Sequence, residues 1–95
     1  CYSASKGAII GMTLPLARDL GRFGIRVVTL APGVFQTPMG KDINPKVADD
    51  IKRATPLGRM GDPTEFADAV VALAGNSFLT GEIVRLDGGV RLGYI

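Results

Sequence analysis

Tyr2 and Lys6 are the two residues whose types and spacing point most directly to chemistry. Residues four apart in a helix share one face, so the phenol and the ammonium are expected to be neighbours. A free phenol ionises near pH ~10, and a cation held beside it favours the phenolate. The spacing therefore predicts a general acid/base at Tyr2, assisted by Lys6. The alternative is a solvated lysine beside a half-buried ring.

The composition excludes several other kinds of site. The 95 residues contain no histidine and one cysteine, which argues against zinc sites, Cys/His catalysis and Ser-His-Asp triads. The net charge of +2 comes without a Lys/Arg run, so neither a nucleic-acid nor a membrane partner is expected. No apolar run approaches the ~20 residues of a membrane span. A single cysteine forms no internal disulfide, which favours a reducing compartment.

The chain starts at Cys1 and not at a methionine, inside a pattern that predicts a helix. We therefore expect a piece of a longer protein whose N-terminal part is missing from this sequence.

The first element is predicted to be a helix from Tyr2 to about Leu20. Pro15 removes one backbone bond inside it and predicts a kink, and Gly21 and Gly24 predict its end. Apolar side chains recur at the spacing of one helical face: Ile9, Met12, Leu16, Ala17 and Leu20.

A short β-branched run, Ile25–Ala31, predicts a strand that is buried on both faces. Near-continuous apolar strands that follow helices are typical of parallel sheets with helices on both sides. Ligands bind such sheets beyond the carboxyl ends of the strands, where Pro32 and Gly33 form a turn. Glycine there would let the backbone pass close to a ligand; an ordinary loop is the alternative.

The middle of the chain has two candidate features. The hydroxyl of Thr37 could donate to a phosphate or an amide, although the sequence alone favours an ordinary turn residue. Met39–Thr55 is a mixed segment with a short amphipathic helix from Val47 to Ala54. Segments of this length often act as lids over a site, and a solvated surface helix is the alternative.

The last third predicts a helix followed by a strand. Asp62, Pro63 and Glu65 have the types expected at the N-cap, the first and the third helical positions. Phe66 begins an apolar stripe, and Glu82–Leu86 predicts a second strand. The order of elements indicates an α/β fold without an internal domain boundary.

Taken together, these segments resemble the C-terminal part of the short-chain dehydrogenase/reductase family, over essentially the whole chain. Within that family the sequence looks most like the 3-hydroxyacyl-CoA dehydrogenases that are also described as 17β-hydroxysteroid dehydrogenases. Pro15 and Thr29 fit that branch. The motifs that carry the family resemblance, in order, are Tyr2-Ser3-Ala4-Ser5-Lys6, Pro32-Gly33 with Thr37, Gly58-Arg59, Asp62-Pro63-x-Glu65, and Thr80-Gly81 to Asp87-Gly88-Gly89.

The resemblance implies a fold and a set of roles. The fold is the C-terminal part of a doubly wound Rossmann-type parallel sheet, with 1–95 as a portion of one NAD(P)-binding domain. Tyr2 would exchange a proton with the substrate, and Lys6 would hold the nicotinamide ribose and favour the phenolate. The backbone at Pro32, Gly33, Val34 and Phe35 would line the nicotinamide, Thr37 would bind the cofactor, and 38–55 would form the substrate lid.

The resemblance also implies an activity. It is hydride transfer between NAD, with NADP not excluded, and a secondary alcohol or ketone, such as a 3-hydroxyacyl thioester of fatty acid metabolism. The alternatives are an NADPH-dependent 3-oxoacyl-carrier-protein reductase and a truncated relative that only forms oligomers. The family's glycine-rich phosphate loop and catalytic serine are not in this sequence, so the 95 residues alone are expected to be inactive.

The same resemblance suggests a homotetramer, assembled through the first helix, the C-terminal strand and the tail Leu92–Ile95. It also suggests a location in the cytoplasm or, in a eukaryote, in the mitochondrial matrix.

Overall fold

The computed structural model describes residues 1–40 and 42–91, so the tail Leu92–Ile95 and Lys41 lie outside the described residues. Over these described residues the elements are two parallel strands and three α-helices with one 3₁₀ turn, which is an α/β arrangement as predicted. Their bounds in chain order are α1 Tyr2–Gly21, β1 Thr29–Pro32, the 3₁₀ turn Pro38–Gly40, α2 Pro45–Ala54, α3 Pro63–Gly75 and β2 Ile83–Leu86.

The chain forms two compact units. The first unit is Cys1–Leu30 with Val71–Val84, and the second unit is Ala31–Val70 with Arg85–Ile95. β1 and β2 are hydrogen-bonded neighbours, and each strand begins in the first unit and ends in the second. The pairing is parallel, since the N–H of Thr29 donates to Glu82 (3.0 Å) and, four residues on in both strands, the N–H of Gly33 donates to Leu86 (2.9 Å).

The strand predicted at Ile25–Ala31 is shorter in the structure and starts at Thr29. The residues before it are engaged by a loop. The N–H of Val27 donates to the hydroxyl of Thr80 at 3.0 Å, and the carbonyl of Val27 accepts from Gly81 at 2.7 Å. β1 is half-buried, with Pro32 exposed, and not buried on both faces. The faces of a strand are buried only by elements that pack above and below the sheet, and those among the described residues leave β1 partly exposed.

Helix α1 has the predicted bounds, with its end one residue later at Gly21. The N–H groups of Phe23 and Ile25 bond the carbonyl of Leu20 and close the helix end. The buried residues are Thr13 and Ala17, whereas most of the predicted apolar stripe is exposed. A hydroxyl occupies the most buried position because Thr13 has hydrogen-bond partners there, which periodicity of apolar residues cannot indicate.

The side chain of Arg26 caps the C-terminal end of helix α3. Its guanidinium donates to the carbonyls of Leu73 (3.1 Å), Ala74 and Leu79 (3.4 Å). The last carbonyls of a helix lack partners within the helix, and a cation there also complements the helix dipole. Helix α3 has no basic residue of its own in its last turn, so Arg26 supplies that charge from outside the helix.

Candidate active site

The first two turns of α1 bring Tyr2 and Lys6 together, as the spacing predicts. The helix opens with the N–H of Ser5 bonded to Cys1 at 3.0 Å, and the hydroxyl of Ser5 donates to the carbonyl of Tyr2 at 2.8 Å. The Lys6 ammonium lies 5.5 Å from the centroid of the Tyr2 ring. That distance is within the range of a cation–π contact. Tyr2 is exposed among the residues that the structure describes.

The other predicted cofactor residues lie in the second unit, at the end of β1 and directly after it. There the chain forms a one-residue parallel bridge between Phe35 and Gly61. The N–H of Gly61 donates to Val34, and the N–H of Gln36 donates to Gly61, both at 2.9 Å. Gly61 thus bonds the two residues on either side of Phe35, as is usual in a parallel bridge. The N–H and C=O of Phe35 itself therefore point away from Gly61. Neither group is hydrogen-bonded among the residues that the structure describes.

Gly33 is needed here for a close approach between two stretches of backbone. A Cβ at this position would lie 2.7 Å from both the Cα and the Cβ of Asp87. Contacts this short do not occur between carbon atoms. The turn after β1 therefore passes over Asp87 in a way that only glycine permits, which is a reason for this glycine that the sequence did not reveal.

A pocket of about 490 Å³ opens beside this turn, within the second unit. Its size is within the usual range for ligand pockets. The five predicted cofactor residues of this unit all line it, and Thr37 is the one among them with a side-chain hydroxyl. The lining residues are Pro32, Gly33, Val34, Phe35, Thr37, Met39, Ile43, Pro63 and Phe66.

Sequence reasoning missed the part of the pocket wall that Pro63 and Phe66 form, whereas Ile43 lies in the predicted lid segment. The Phe66 ring meets the Phe35 ring edge to face, with centroids 5.8 Å apart and planes at 81°. The sequence signal for Phe66 was an apolar stripe on α3, which is the same for a core residue and for a pocket residue. The uncharged lining suits an apolar or aromatic group of a ligand.

The predicted lid segment holds two elements of its own. Met39, in the 3₁₀ turn, is 94% exposed. Helix α2 begins at a cap where the side chain of Asn44 accepts from the N–H of Lys46 at 2.9 Å. It ends with the hydroxyl of the buried Thr55 bonded to the carbonyl of Ile51 at 2.7 Å. The predicted helix is thus confirmed with an earlier start, and its action as a lid stays a prediction.

The start of α3 forms the predicted reciprocal cap. Glu65 accepts from the N–H of Asp62 at 2.8 Å, and Asp62 accepts from the N–H of Thr64 at 2.9 Å. Arg59 adds a two-bond ion pair to Glu65 at 2.9 and 2.7 Å. The Arg59 guanidinium, helped by the Asp62 N–H, lowers the pKa of Glu65 from 4.5 to about 2. The hydroxyl and N–H of Thr64 lower the pKa of Asp62 in the same direction.

These lowered values predict an acid-dependent stability. A carboxyl with a depressed folded-state pKa stabilises the fold above its unfolded pKa, and this contribution is lost as pH falls through the folded value. For Glu65 the window runs from pH 4.5 down to about 2. Glu65→Gln should therefore lower the melting temperature at pH 7. Between pH 4.5 and about 2, the melting temperature of this variant should fall less steeply than that of the parent. Asp68→Asn, on the exposed side of the same helix, should leave the acid slope unchanged, and equal slopes for both variants would contradict the prediction.

After β2, Asp87 organises a turn that packs under Gly33. Its carboxylate accepts from the N–H of Gly89 at 2.9 Å and of Arg91 at 3.1 Å, and it pairs with the Arg91 guanidinium at 3.0 Å. The side chain is 9% exposed. The Gly89 N–H, with Arg91, holds the pKa of Asp87 below its usual value. The carboxylate is fully engaged and serves the turn.

No set of three or more His, Cys, Asp or Glu side chains suited to a metal ion occurs within residues 1–40 and 42–91. Over the same residues, no helix is both long and apolar enough to cross a membrane.

The chain is similar to known dehydrogenases and reductases. A family model described as enoyl-(acyl carrier protein) reductase matches residues 1–91. The 3-hydroxyacyl-CoA dehydrogenase type-2 of Bos taurus is 53% identical over 92 residues, which cover 96% of this chain. The chain spans only 35% of the length of that protein.

Two solved structures have the same fold. The 3-hydroxyacyl-CoA dehydrogenase type-2 from Mycobacterium avium superimposes with a TM-score of 0.91 at 41% identity, covering 97% of this chain and 36% of that one. A 3-oxoacyl-[acyl-carrier protein] reductase with bound NAD from Brucella melitensis gives 0.84 at 40% identity, covering 97% and 34%.

Proposed function

The chain belongs to the short-chain dehydrogenase/reductase family, and from this membership we propose that it is the C-terminal portion of a single NAD(P)-binding domain in an oxidoreductase. The proposed reaction interconverts a secondary alcohol and a ketone on a 3-hydroxyacyl thioester, with NAD as the hydride acceptor. The observation that carries the proposal is the Tyr2–Lys6 pair, with an ammonium 5.5 Å from the ring of an exposed phenol.

In the proposed reaction Tyr2 takes the proton of the substrate hydroxyl as the carbonyl forms, and it returns a proton in the reverse direction. Lys6 holds a positive charge beside the phenol that exchanges this proton. NAD, when bound, supplies the hydride acceptor. The chain's own contribution is thus a proton acceptor and a fixed charge.

Two features of the second unit support a nicotinamide site beside Phe35. A carboxamide carries both a donor and an acceptor, and Phe35 offers an N–H and a C=O that have no partner among the described residues. The adjacent pocket of about 490 Å³ presents an uncharged lining and the hydroxyl of Thr37. These groups suit a nicotinamide ring and its carboxamide better than a phosphate, because a phosphate needs cations or several N–H donors.

Two substrates remain to be distinguished, because one solved 3-oxoacyl-[acyl-carrier protein] reductase is as similar to the chain as the solved dehydrogenase, at 41% identity each. Purified full-length protein assayed with a short 3-hydroxyacyl-CoA and NAD, and in parallel with a 3-oxoacyl-carrier-protein and NADPH, separates them. We expect the first pair to give the higher kcat/KM. Faster reaction of the second pair would favour the reductase, and no hydride transfer with either would refute the proposal.

Lys6→Ala should weaken cofactor binding in the full-length enzyme. A hydrogen bond to a charged group contributes about 1.5–3 kcal/mol, so the dissociation constant for NAD should rise about 10- to 100-fold. Arg18→Ala, which removes an exposed charge from the last turn of the same helix, is the matched control. If both variants bind NAD as the parent does, Lys6 is only a solvated lysine.

We further propose that the full protein is a homotetramer in a reducing compartment, the cytoplasm or the mitochondrial matrix, and that residues 38–55 close over bound substrate. Exposed apolar residues on α1, such as Ile9 and Met12, support the assembly. Val84→Asp in β2 should lower the sedimentation coefficient, and an unchanged value would exclude that surface.

Hydrogen exchange in 42–55 should slow on adding cofactor and substrate, and cell fractionation tests the compartment.

A further inference from the structure

One carboxylate holds the turn Asp87–Gly89, which follows β2 in the second unit and is called the Asp87 turn below. The side chain of Asp87 accepts from the N–H of Gly89 at 2.9 Å and from the N–H of Arg91 at 3.1 Å. The Arg91 guanidinium adds two bonds to the same carboxylate, both at 3.0 Å. Gly88 and Gly89 have φ of +61° and +88°, the left-handed region that favours glycine. The carboxylate thus fixes a backbone turn that these glycines permit.

On one side the Asp87 turn contacts the predicted cofactor residues. The N–H of Gly33 donates to the carbonyl of Leu86 at 2.9 Å. A Cβ on Gly33 would lie 2.7 Å from the Cα of Asp87, so the two stretches of backbone touch directly. A displacement of the Asp87 turn would therefore move Gly33 and, with it, the neighbouring Val34 and Phe35.

On another side the Asp87 turn contacts the end of α2, the helix of the predicted lid. A Cβ on Gly88 would lie 2.7 Å from Cγ2 of Thr55, and a Cβ on Gly89 would lie 3.0 Å from Cγ of Pro56. The hydroxyl of Thr55 is bonded to the carbonyl of Ile51 at 2.7 Å, which ties these contacts to the body of the helix. The end of the lid helix and the cofactor residues therefore pack against the same short turn.

All of these contacts lie within one compact unit, Ala31–Val70 with Arg85–Ile95. The chain spans only 35% of the length of its Bos taurus relative, so further residues of the full-length enzyme would surround this unit. They would add to these contacts and not replace them, because no atom fits between groups that already touch. Close-packed groups transmit a displacement from one neighbour to the next.

We propose that Asp87 is a positioning residue that couples NAD binding to closure of the lid. This inference rests on the function proposed above, in which Pro32–Phe35 lines the nicotinamide and 38–55 closes over the substrate. Two ligands raise each other's affinity when both favour the same arrangement of a shared element. The Asp87 turn is such an element, since it contacts both segments. Couplings of this kind change affinity by about 5- to 150-fold.

The test compares the dissociation constant for NAD in the full-length enzyme with and without a saturating 3-oxoacyl-CoA. NAD and the ketone are both oxidised, so no hydride passes between them and the ternary complex persists. In the parent, the ketone should lower the dissociation constant by about 5- to 150-fold. In Asp87→Ala, which removes every side-chain bond of the turn, this ratio should fall to about 1. A parent-like ratio in Asp87→Ala would overturn the proposal, as would a ratio of about 1 in the parent.

Two milder variants give the intermediate results that a positioning role requires. Asp87→Asn keeps an oxygen that can accept from the N–H of Gly89, so it should retain more of the ratio than Asp87→Ala does. Arg91→Ala removes the guanidinium but leaves both backbone bonds to the carboxylate, so it should retain most of the ratio. A ratio near 1 in Asp87→Asn and in Arg91→Ala would contradict the role of the backbone bonds.

Glu65→Ala is the matched control. Glu65 is also a carboxylate of the second unit that is held by an arginine and a backbone N–H, but its bonds go to Arg59 and Asp62 and not to the Asp87 turn. The variant should lower the melting temperature and leave the NAD ratio as in the parent. If Glu65→Ala reduces the ratio as much as Asp87→Ala does, lost stability accounts for both and the positioning role is refuted.

A second pair of variants carries the test if Asp87→Ala does not fold. The methyl group of Gly88→Ala would lie 2.7 Å from Cγ2 of Thr55, so this variant should push the lid helix from the turn and reduce the ratio. Thr55→Ser removes Cγ2 and keeps the hydroxyl that bonds Ile51, so the double variant should regain the ratio. A parent-like ratio in Gly88→Ala, or a reduced ratio that Thr55→Ser does not restore, would count against the coupling.

These outcomes separate the coupling from the proposed function. A parent enzyme that oxidises a 3-hydroxyacyl-CoA with NAD, and whose ratio Asp87→Ala leaves unchanged, would overturn the coupling alone. A parent enzyme that binds no NAD would overturn the proposed function and the coupling with it.

Discussion

Tyr2→Phe in the full-length enzyme is expected to lower kcat by about 10²- to 10⁴-fold, the usual contribution of a general acid or base. The variant keeps the ring beside Lys6 and removes the group that exchanges the proton. NAD binding should change little, because the cation that holds the ribose in the proposed site is retained. The measurement is steady-state turnover with a 3-hydroxyacyl-CoA, alongside the dissociation constant for NADH by fluorescence.

Ser5→Ala is the control for Tyr2→Phe. It also removes a hydroxyl from the first turns of α1, one that donates to the carbonyl of Tyr2. Ser5 should tolerate alanine within about 3-fold in kcat, since a side-chain bond to an exposed helix carbonyl contributes little. Near-full turnover in Tyr2→Phe would show that another group transfers the proton.

Gly33→Ala is expected to have the second large effect, on folding and on cofactor binding together. The added methyl would lie 2.7 Å from the Cα of Asp87, an atom of the main chain that cannot rotate away. Overpacking of this kind costs about 1–3 kcal/mol in stability when the structure can shift to relieve it. The shift would move the turn that holds Val34 and Phe35, so NAD binding should weaken in the same variant.

Urea unfolding and NAD titration of Gly33→Ala give the two readouts. Gly21→Ala is the matched control, since a Cβ there has no described atom within 4 Å. That variant should be as stable as the parent or slightly more so, because alanine is the better helix former. Equal stability of the two variants would mean that the backbone at Gly33 is not packed against Asp87 in solution.

The sequence predicted features that depend on neighbours in the chain. The cap positions of Asp62 and Glu65 were predicted, because both of the bonds that form the cap close within three residues. The Tyr2–Lys6 pair was predicted for the same reason. The start of β1 was not, because Val27 is engaged by Thr80, which is 53 residues away. No local pattern contains that information.

In the candidate site, too, features set by neighbouring residues were predicted and features set by distant residues were not. The turn residues Pro32 and Gly33 were predicted from composition and from the family resemblance, yet the reason for glycine at 33 is a residue after the last strand. The wall at Phe66 was missed because an apolar stripe has the same period whether it faces a core or a pocket. Outside the site, Thr13 was missed because a buried hydroxyl becomes visible only once its partner on β1, Thr29, is known.

Arg26 has a consequence for how the chain acquires its fold. Its guanidinium bonds carbonyls 47, 48 and 53 residues further along, and the neighbouring Val27–Thr80 bond spans 53 residues. Contacts of such long sequence separation slow folding, because a large loop must close before they form. During synthesis, the first unit cannot close around β1 until Thr80 has left the ribosome. Until then Arg26 and Val27, before β1, lack these partners.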